Sequence, residues 1–111
     1  MSNILIIGGG AAGMMSAIVA AEDGKKVTLI EKNNKLGKKL YITGKGRCNL
    51  TNNSESTEII KNIISNPKFM MSALYAFSAQ DLMAYFESHG LQLKTERGNR
   101  VFPVSDKSSD V

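Results

Sequence analysis

One hexapeptide constrains this chain more than any other feature. Gly8-Gly9-Gly10-Ala11-Ala12-Gly13 stands directly after the apolar run Asn-Ile-Leu-Ile-Ile at 3–7. A helical pattern follows it, with Met14, Ala17, Ile18 and Ala21 spaced at i, i+3, i+4 and i+7 on one face. A second β-branched run, Lys-Val-Thr-Leu-Ile at 26–30, comes after Gly24, which is placed as the C′ residue of the helix. Strand, glycine turn, helix and strand make a βαβ unit of about 30 residues, which demands two parallel strands joined by a helical crossover. Neither strand alternates in polarity, and both read as buried on two faces.

The spacing G-x-G-x-x-G assigns each glycine a task. Gly8 allows a sharp exit from the first strand, Gly10 lets a pyrophosphate approach the backbone, and Gly13 lets the helix pack closely on the sheet. Ala11 and Ala12 open the helix, whose N–H groups and partial positive charge face the phosphates. Glu31 closes the second strand at the spacing where a carboxylate accepts hydrogen bonds from an adenosine ribose. That carboxylate would repel a 2′-phosphate, so the turn favours FAD or NAD over NADP, and spacing alone does not choose between the two.

From Lys32 to Asn53 the chain is polar and rich in Lys, Gly and Asn, and it reads as one long loop. Three helical stripes follow. The first is Ile59, Ile60, Ile63 and Ile64; the second is Phe69, Met70, Ala73, Leu74 and Phe77; the third is Leu82, Tyr85 and Phe86. Ser78-Ala79-Gln80-Asp81 resembles a capping box at the start of the third, which ends at Gly90. Residues 91–95 alternate in polarity, Arg97-Gly98-Asn99 supplies a turn, and residues 100–104 return as the second arm of a hairpin. Ser105 or Asp106 reads as the N-cap of a further helix. Two apolar parallel strands require neighbours, so residues 1–111 read as the N-terminal piece of a longer protein.

Composition sets the surroundings. The chain is 42% hydrophobic and 22% charged, which is ordinary globular usage and excludes a disordered chain. Its net charge of +4 is spread along the chain, too weak a basic footprint to decide for nucleic acid. A single cysteine forms no internal disulfide and favours a reducing compartment. The apolar N-terminus lacks the basic n-region of a signal peptide and is broken by glycines, so the expected location is cytoplasmic, with no membrane partner. No His/Cys/carboxylate cluster has metal-ligand spacing.

The motifs together carry a family resemblance. With the glycine hexapeptide, Glu31, Gly37-Lys38-Lys39, Thr43-Gly44-Lys45-Gly46-Arg47-Cys48-Asn49-Leu50-Thr51-Asn52 and Val101-Phe102-Pro103-Val104-Ser105-Asp106-Lys107, the chain resembles the N-terminus of the BaiN/RdsA family of FAD-dependent oxidoreductases. The resemblance implies an α/β, Rossmann-like FAD-binding domain: an N-terminal βαβ, a helical segment and a β-hairpin. It is incomplete in these residues, because the inserted substrate domain and the C-terminal part of the FAD domain are absent. It implies FAD at the glycine turn and NAD(P)H as electron donor. It also implies reduction of a carbon–carbon double bond, in a small molecule or in a uridine of ribosomal RNA.

The resemblance places Gly37 and Lys38 near the pyrophosphate and Gly44 and Gly46 close to the flavin ring. Thr43, Arg47 and Asn49 would bond ring heteroatoms or the ribityl chain, with Arg47 the cation that stabilises reduced flavin. Lys32, Lys39 and Cys48 complete the candidate cofactor contacts. Lys45 stands where a third glycine is common, and a lysine argues against a left-handed backbone there.

Plainer readings stand beside these. Cys48 has no C-x-x-C mate and reads as a packing cysteine. Lys38 and Lys39 also suit a solvated pair. His89 suits a helix C-terminus rather than catalysis. Phe102-Pro103 fits a pocket wall and a strand end equally. No catalytic residue is named by the sequence, and neither substrate nor oligomeric state is. The alternative to an oxidoreductase is a non-catalytic nucleotide-binding module or a fragment without activity of its own.

Overall fold

The computed structural model describes residues 2–111. The chain forms two compact units, Met1–Thr43 and Gly44–Val111.

The first unit is a βαβ crossover. Strand β1 (Asn3–Ile7) and strand β2 (Lys26–Ile30) fall on the two expected runs. They pair in parallel, with Asn3 opposite Lys26 and Ile7 opposite Ile30. Helix α1 (Ala11–Glu22) makes the crossover. It ends in a Schellman arrangement. The Gly24 N–H donates to the Ala21 carbonyl and the Lys25 N–H to that of Ala20, each at 3.0 Å, with Gly24 at φ +76°.

Burial on both faces of the strands does not hold. Ile4, Ile6, Val27 and Leu29 are half-buried, on the face that α1 covers. Leu5, Ile7 and Ile30, on the other face, are exposed. One helix covers one side of a two-stranded ladder, and strict alternation of side chains sends every second residue to the opposite side. The same geometry explains α1, where Met14 and Ala17 are half-buried while Ile18 and Ala21 remain exposed.

The long polar segment is more ordered than its composition implies. Helix α2 (Lys38–Ile42) follows Gly37, whose φ of +64° turns the chain into it. A 3₁₀ turn, Thr43–Gly46, comes next.

The second unit is built on a three-stranded antiparallel sheet. Its strands are β3 (Thr51–Asn52), β4 (Leu93–Glu96) and β5 (Arg100–Pro103), in the order β3-β5-β4. The hairpin β4–β5 is the expected one, with Lys94 opposite Phe102 and Glu96 opposite Arg100. Strand β3 lies inside the stretch read as a loop and pairs with the far side of β5, Thr51 opposite Val101. That pairing makes β5 the central strand, and Val101, Phe102, Pro103 and Cys48 are the most deeply buried large side chains among the described residues.

Three helices occupy 56–88: α3 (Ser56–Lys61), α4 (Pro67–Ala76) and α5 (Ala79–Ser88). The capping box is present at α5. The Asp81 N–H donates to Ser78 Oγ at 3.1 Å, and the Ser78 N–H donates to Asp81 Oδ2 at 2.9 Å. The isoleucine stripe runs past its helix: α3 ends at Lys61, and Ile64 is fully exposed. Asn66, at φ +52°, and Pro67 restart the chain as α4, because proline is accommodated in a first helical turn and not in a helix interior. Phe69, at the start of α4, is 85% exposed and so lies off any buried stripe. His89 follows α5 and donates from Nδ1 to the Tyr85 carbonyl at 2.8 Å, in keeping with the capping reading.

The expected helix start at Ser105–Asp106 is not formed. Asp106 is left-handed, at φ +59°, and its carboxylate pairs with Lys94 and Arg47. Only a 3₁₀ turn follows, Ser108–Asp110. Two cations near Asp106 outcompete the free N–H groups of a helix terminus for the carboxylate.

Candidate functional site

The glycine turn is the chemically distinctive part of the first unit. Gly8 leaves β1 at φ +103° and donates its N–H to the Ile30 carbonyl at 2.8 Å, tying the turn to the end of β2. Gly10 caps α1 with extended backbone and supplies no side-chain cap. The Met14 N–H is bonded to the Gly10 carbonyl at 2.9 Å, so the N–H groups of Ala11, Ala12 and Gly13 have no acceptor within the helix. The space a Cβ would take at Gly10 is open. A Cβ at Gly13 would instead overlap the Gly8 carbonyl oxygen, so only glycine lets α1 sit this close to the strand. A bare helix N-terminus with open approach offers free N–H donors and a partial positive charge, which suit an anion.

Glu31 points into this turn. Its Oε1 accepts the Gly9 N–H at 2.9 Å and its Oε2 accepts the Asn33 N–H at 2.6 Å. The Asn33 and Gly9 amides hold its carboxyl below the usual glutamate range, with desolvation opposing them, so it is ionised at neutral pH. Each carboxylate oxygen retains a lone pair for a hydroxyl donor. Gly9 is buried, and its carbonyl accepts the Gly37 N–H at 2.7 Å. The chain after β2 therefore folds back onto the turn. The family resemblance singles out Gly37 but not Gly9, which joins β1, Glu31 and Gly37. Lys32, Lys38 and Lys39 are exposed. The Thr43 hydroxyl donates to the Leu40 carbonyl at 2.9 Å.

In the second unit, residues 44–49 form a tight loop. Gly44 has φ +57° and Gly46 φ +86°. A Cβ at Gly44 would lie 2.7 Å from the Asn49 nitrogen and 3.1 Å from the Phe102 ring, so glycine there serves the loop's own packing. At Gly46 the same position is open. Lys45 adopts φ +57°, against the expectation for a lysine, and Cys48 adopts φ +60°. The 1%-exposed Cys48 side chain anchors the loop, as a packing cysteine should, and that burial offsets the backbone cost. The Asn49 side chain is exposed.

Arg47 is fixed on three sides. Its Nη1 donates to both oxygens of Glu96, at 3.1 and 3.0 Å, and to Asp106 Oδ1 at 3.1 Å. Its guanidinium lies over the Phe102 ring, Cζ 3.8 Å from the centroid. Lys94 Nζ completes the cluster, 3.2 Å from Glu96 and 2.8 Å from Asp106. Arg47, then Lys94, lowers the Glu96 carboxyl, while Lys94 leads in lowering that of Asp106.

The profile of the HI0933-like protein Rossmann domain matches residues 2–111. The chain belongs to this family. Among its relatives is the 3-dehydro-bile acid delta(4,6)-reductase of Clostridium scindens, 39% identical over all of this chain and 27% of the relative. The ribosomal RNA dihydrouridine synthase of Escherichia coli is 39% identical over 78% of this chain and 21% of its own length. The cinnamate reductase of Clostridium sporogenes is 62% identical over 33% of this chain and 6% of its own. The HI0933-like chain thus spans about a quarter of the first two relatives. The resemblance on which Gly37, Arg47 and the other loop residues were singled out is therefore a true family relation, and it identifies an oxidoreductase family with a Rossmann, nucleotide-binding domain. Among the described residues no helix is long and apolar enough to cross a membrane.

Proposed function

We propose that residues 1–111 are the N-terminal part of a split FAD-binding domain in a flavin-dependent oxidoreductase, acting in the cytoplasm. One observation carries the reading: the uncapped N-terminus of α1 stands open beside an ionised Glu31 that is already bonded to the glycine turn. The Ala11, Ala12 and Gly13 amides would receive the diphosphate, and Glu31 the adenosine ribose. Gly8 and Gly10 leave the approach clear, while Lys32, Lys38 and Lys39 supply cations. Thr43, the last residue of the first unit, and Gly44, Gly46, Arg47, Cys48 and Asn49 of the second are the further candidate contacts, for the isoalloxazine and ribityl groups.

The redox chemistry, hydride transfer from NAD(P)H to a carbon–carbon double bond, is the flavin's own; this chain binds, orients and tunes. Two kinds of acceptor follow from the relatives' names, an unsaturated small molecule such as a bile-acid intermediate or cinnamate, and a uridine in ribosomal RNA. The test is the absorbance spectrum of the purified full-length protein. Bound FAD that bleaches under NADH or NADPH supports the reading. A colourless protein that binds adenine nucleotides but no flavin identifies a non-catalytic nucleotide-binding module instead.

A further inference from the structure

The Arg47 cluster is asymmetric. All three carboxylate contacts fall on Nη1, and Nε and Nη2 donate to no described residue. The side chain is 32% exposed, and its plane is fixed against the buried Phe102 ring. Arg100 also lies near this ring, its Cζ 5.7 Å from the centroid. Two cations, Arg47 and Lys94, face two carboxylates, Glu96 and Asp106. The guanidinium is thereby held rigid and its charge offset, with one N–H edge left over. Such an edge presents parallel donors to a planar group carrying two acceptors.

We propose that Glu96 and Asp106 are positioning residues for Arg47: they take Nη1, so that the Nε–Nη2 edge is presented to the acceptor edge of a planar heterocycle, and they set how much positive charge that ring meets. The inference rests on the FAD reading, which makes the heterocycle the flavin ring. Arg47 is then a tuned cation, and its two carboxylates oppose reduction of the ring. This role is separate from holding the loop closed, which would affect both redox states of the cofactor alike.

The experiment measures the reduction potential of FAD in the loaded full-length protein, with Glu96→Gln, Asp106→Asn and Arg47→Lys as variants. Each amide keeps the shape of the side chain and leaves the other carboxylate on Nη1. Each is expected to strengthen binding of reduced over oxidised FAD on the order of tenfold, the effect of one charge about 10 Å away at an effective dielectric of about 20. For a two-electron couple that is an upward shift of about 30 mV. Arg47→Lys keeps the charge but loses the fork, and is expected to shift the potential down. The two amide variants test the same sign independently, so failure of one to fold leaves the other decisive. Potentials unchanged from wild type in both, with FAD still bound, overturn the inference alone. Wild-type protein that binds no FAD overturns the cofactor reading first, and this inference with it.

Discussion

Replacing Gly44 by alanine separates packing from backbone conformation in the 44–49 loop. Gly44 sits at φ +57°, and a left-handed alanine costs about 1–2 kcal/mol relative to glycine. The added Cβ also lies 2.7 Å from the Asn49 nitrogen and 3.1 Å from the Phe102 ring, and neither neighbour is a flexible side-chain end. Overpacking of this kind costs about 1–3 kcal/mol more. Gly46→Ala is the matched control, because its φ of +86° carries the backbone cost while its Cβ meets open space. The difference between the variants is therefore about 1–3 kcal/mol, or about 5–150-fold in the population of the opened loop. Cys48 reports that population, since its 1%-exposed thiol is modified only when the loop opens. Its rate of alkylation under native conditions, followed by mass spectrometry, should rise in both variants and by that further factor in Gly44→Ala. Equal rates in the two would refute the claim that Gly44 is required by the Phe102 and Asn49 contacts.

Three further outcomes follow from named contacts. Gly13→Ala forces α1 away from the Gly8 carbonyl and should lower both the thermal midpoint and FAD affinity, whereas Gly10→Ala, facing open space, should lower FAD affinity with little change in the midpoint. Ser78→Ala removes one half of the α5 capping box and should cost about 1 kcal/mol in denaturant unfolding. Glu31 has a folded-state pKa below its unfolded one, so its stabilising bonds are present in full above the unfolded value and are lost as pH falls through the folded one. The stability difference between wild type and Glu31→Gln should accordingly be flat at neutral pH and shrink on acidification, as read from denaturation midpoints across that range.

The features legible in the sequence are those whose cause is local. The bounds of β1 and β2 follow from two β-branched runs, Gly24 from the αL end of a helix, and Ser78 with Asp81 from reciprocal bonds three residues apart. The Arg97–Asn99 turn fixes its own hairpin. The glycine turn and Glu31 are legible through motif spacing on a strand–turn–helix–strand run, whereas the bond between Gly9 and Glu31, across 22 residues, is not. Long-range pairings leave no local signature. Nothing in Thr51-Asn52 announces a strand until β5 lies beside it. Arg47 and Glu96 are 49 positions apart, and their ion pair follows from the sheet that brings them together. The left-handed Lys45 and Asp106 also defeat propensity, because surrounding bonds and packing decide their backbone. The open face of β1 and β2 shows the opposite limit: composition reports that a strand is apolar, while burial depends on what is stacked against it.

The claim on which the rest depends is that the glycine turn and Glu31 together hold an adenine dinucleotide. Calorimetric titration of FAD into the apo form of the full-length protein, wild type against Glu31→Ala, tests it most directly. Loss of the hydrogen bonds between the ribose and an ionised carboxylate predicts affinity weaker by about 10-fold or more. Equal affinity in the two proteins, with the variant folded, would contradict it.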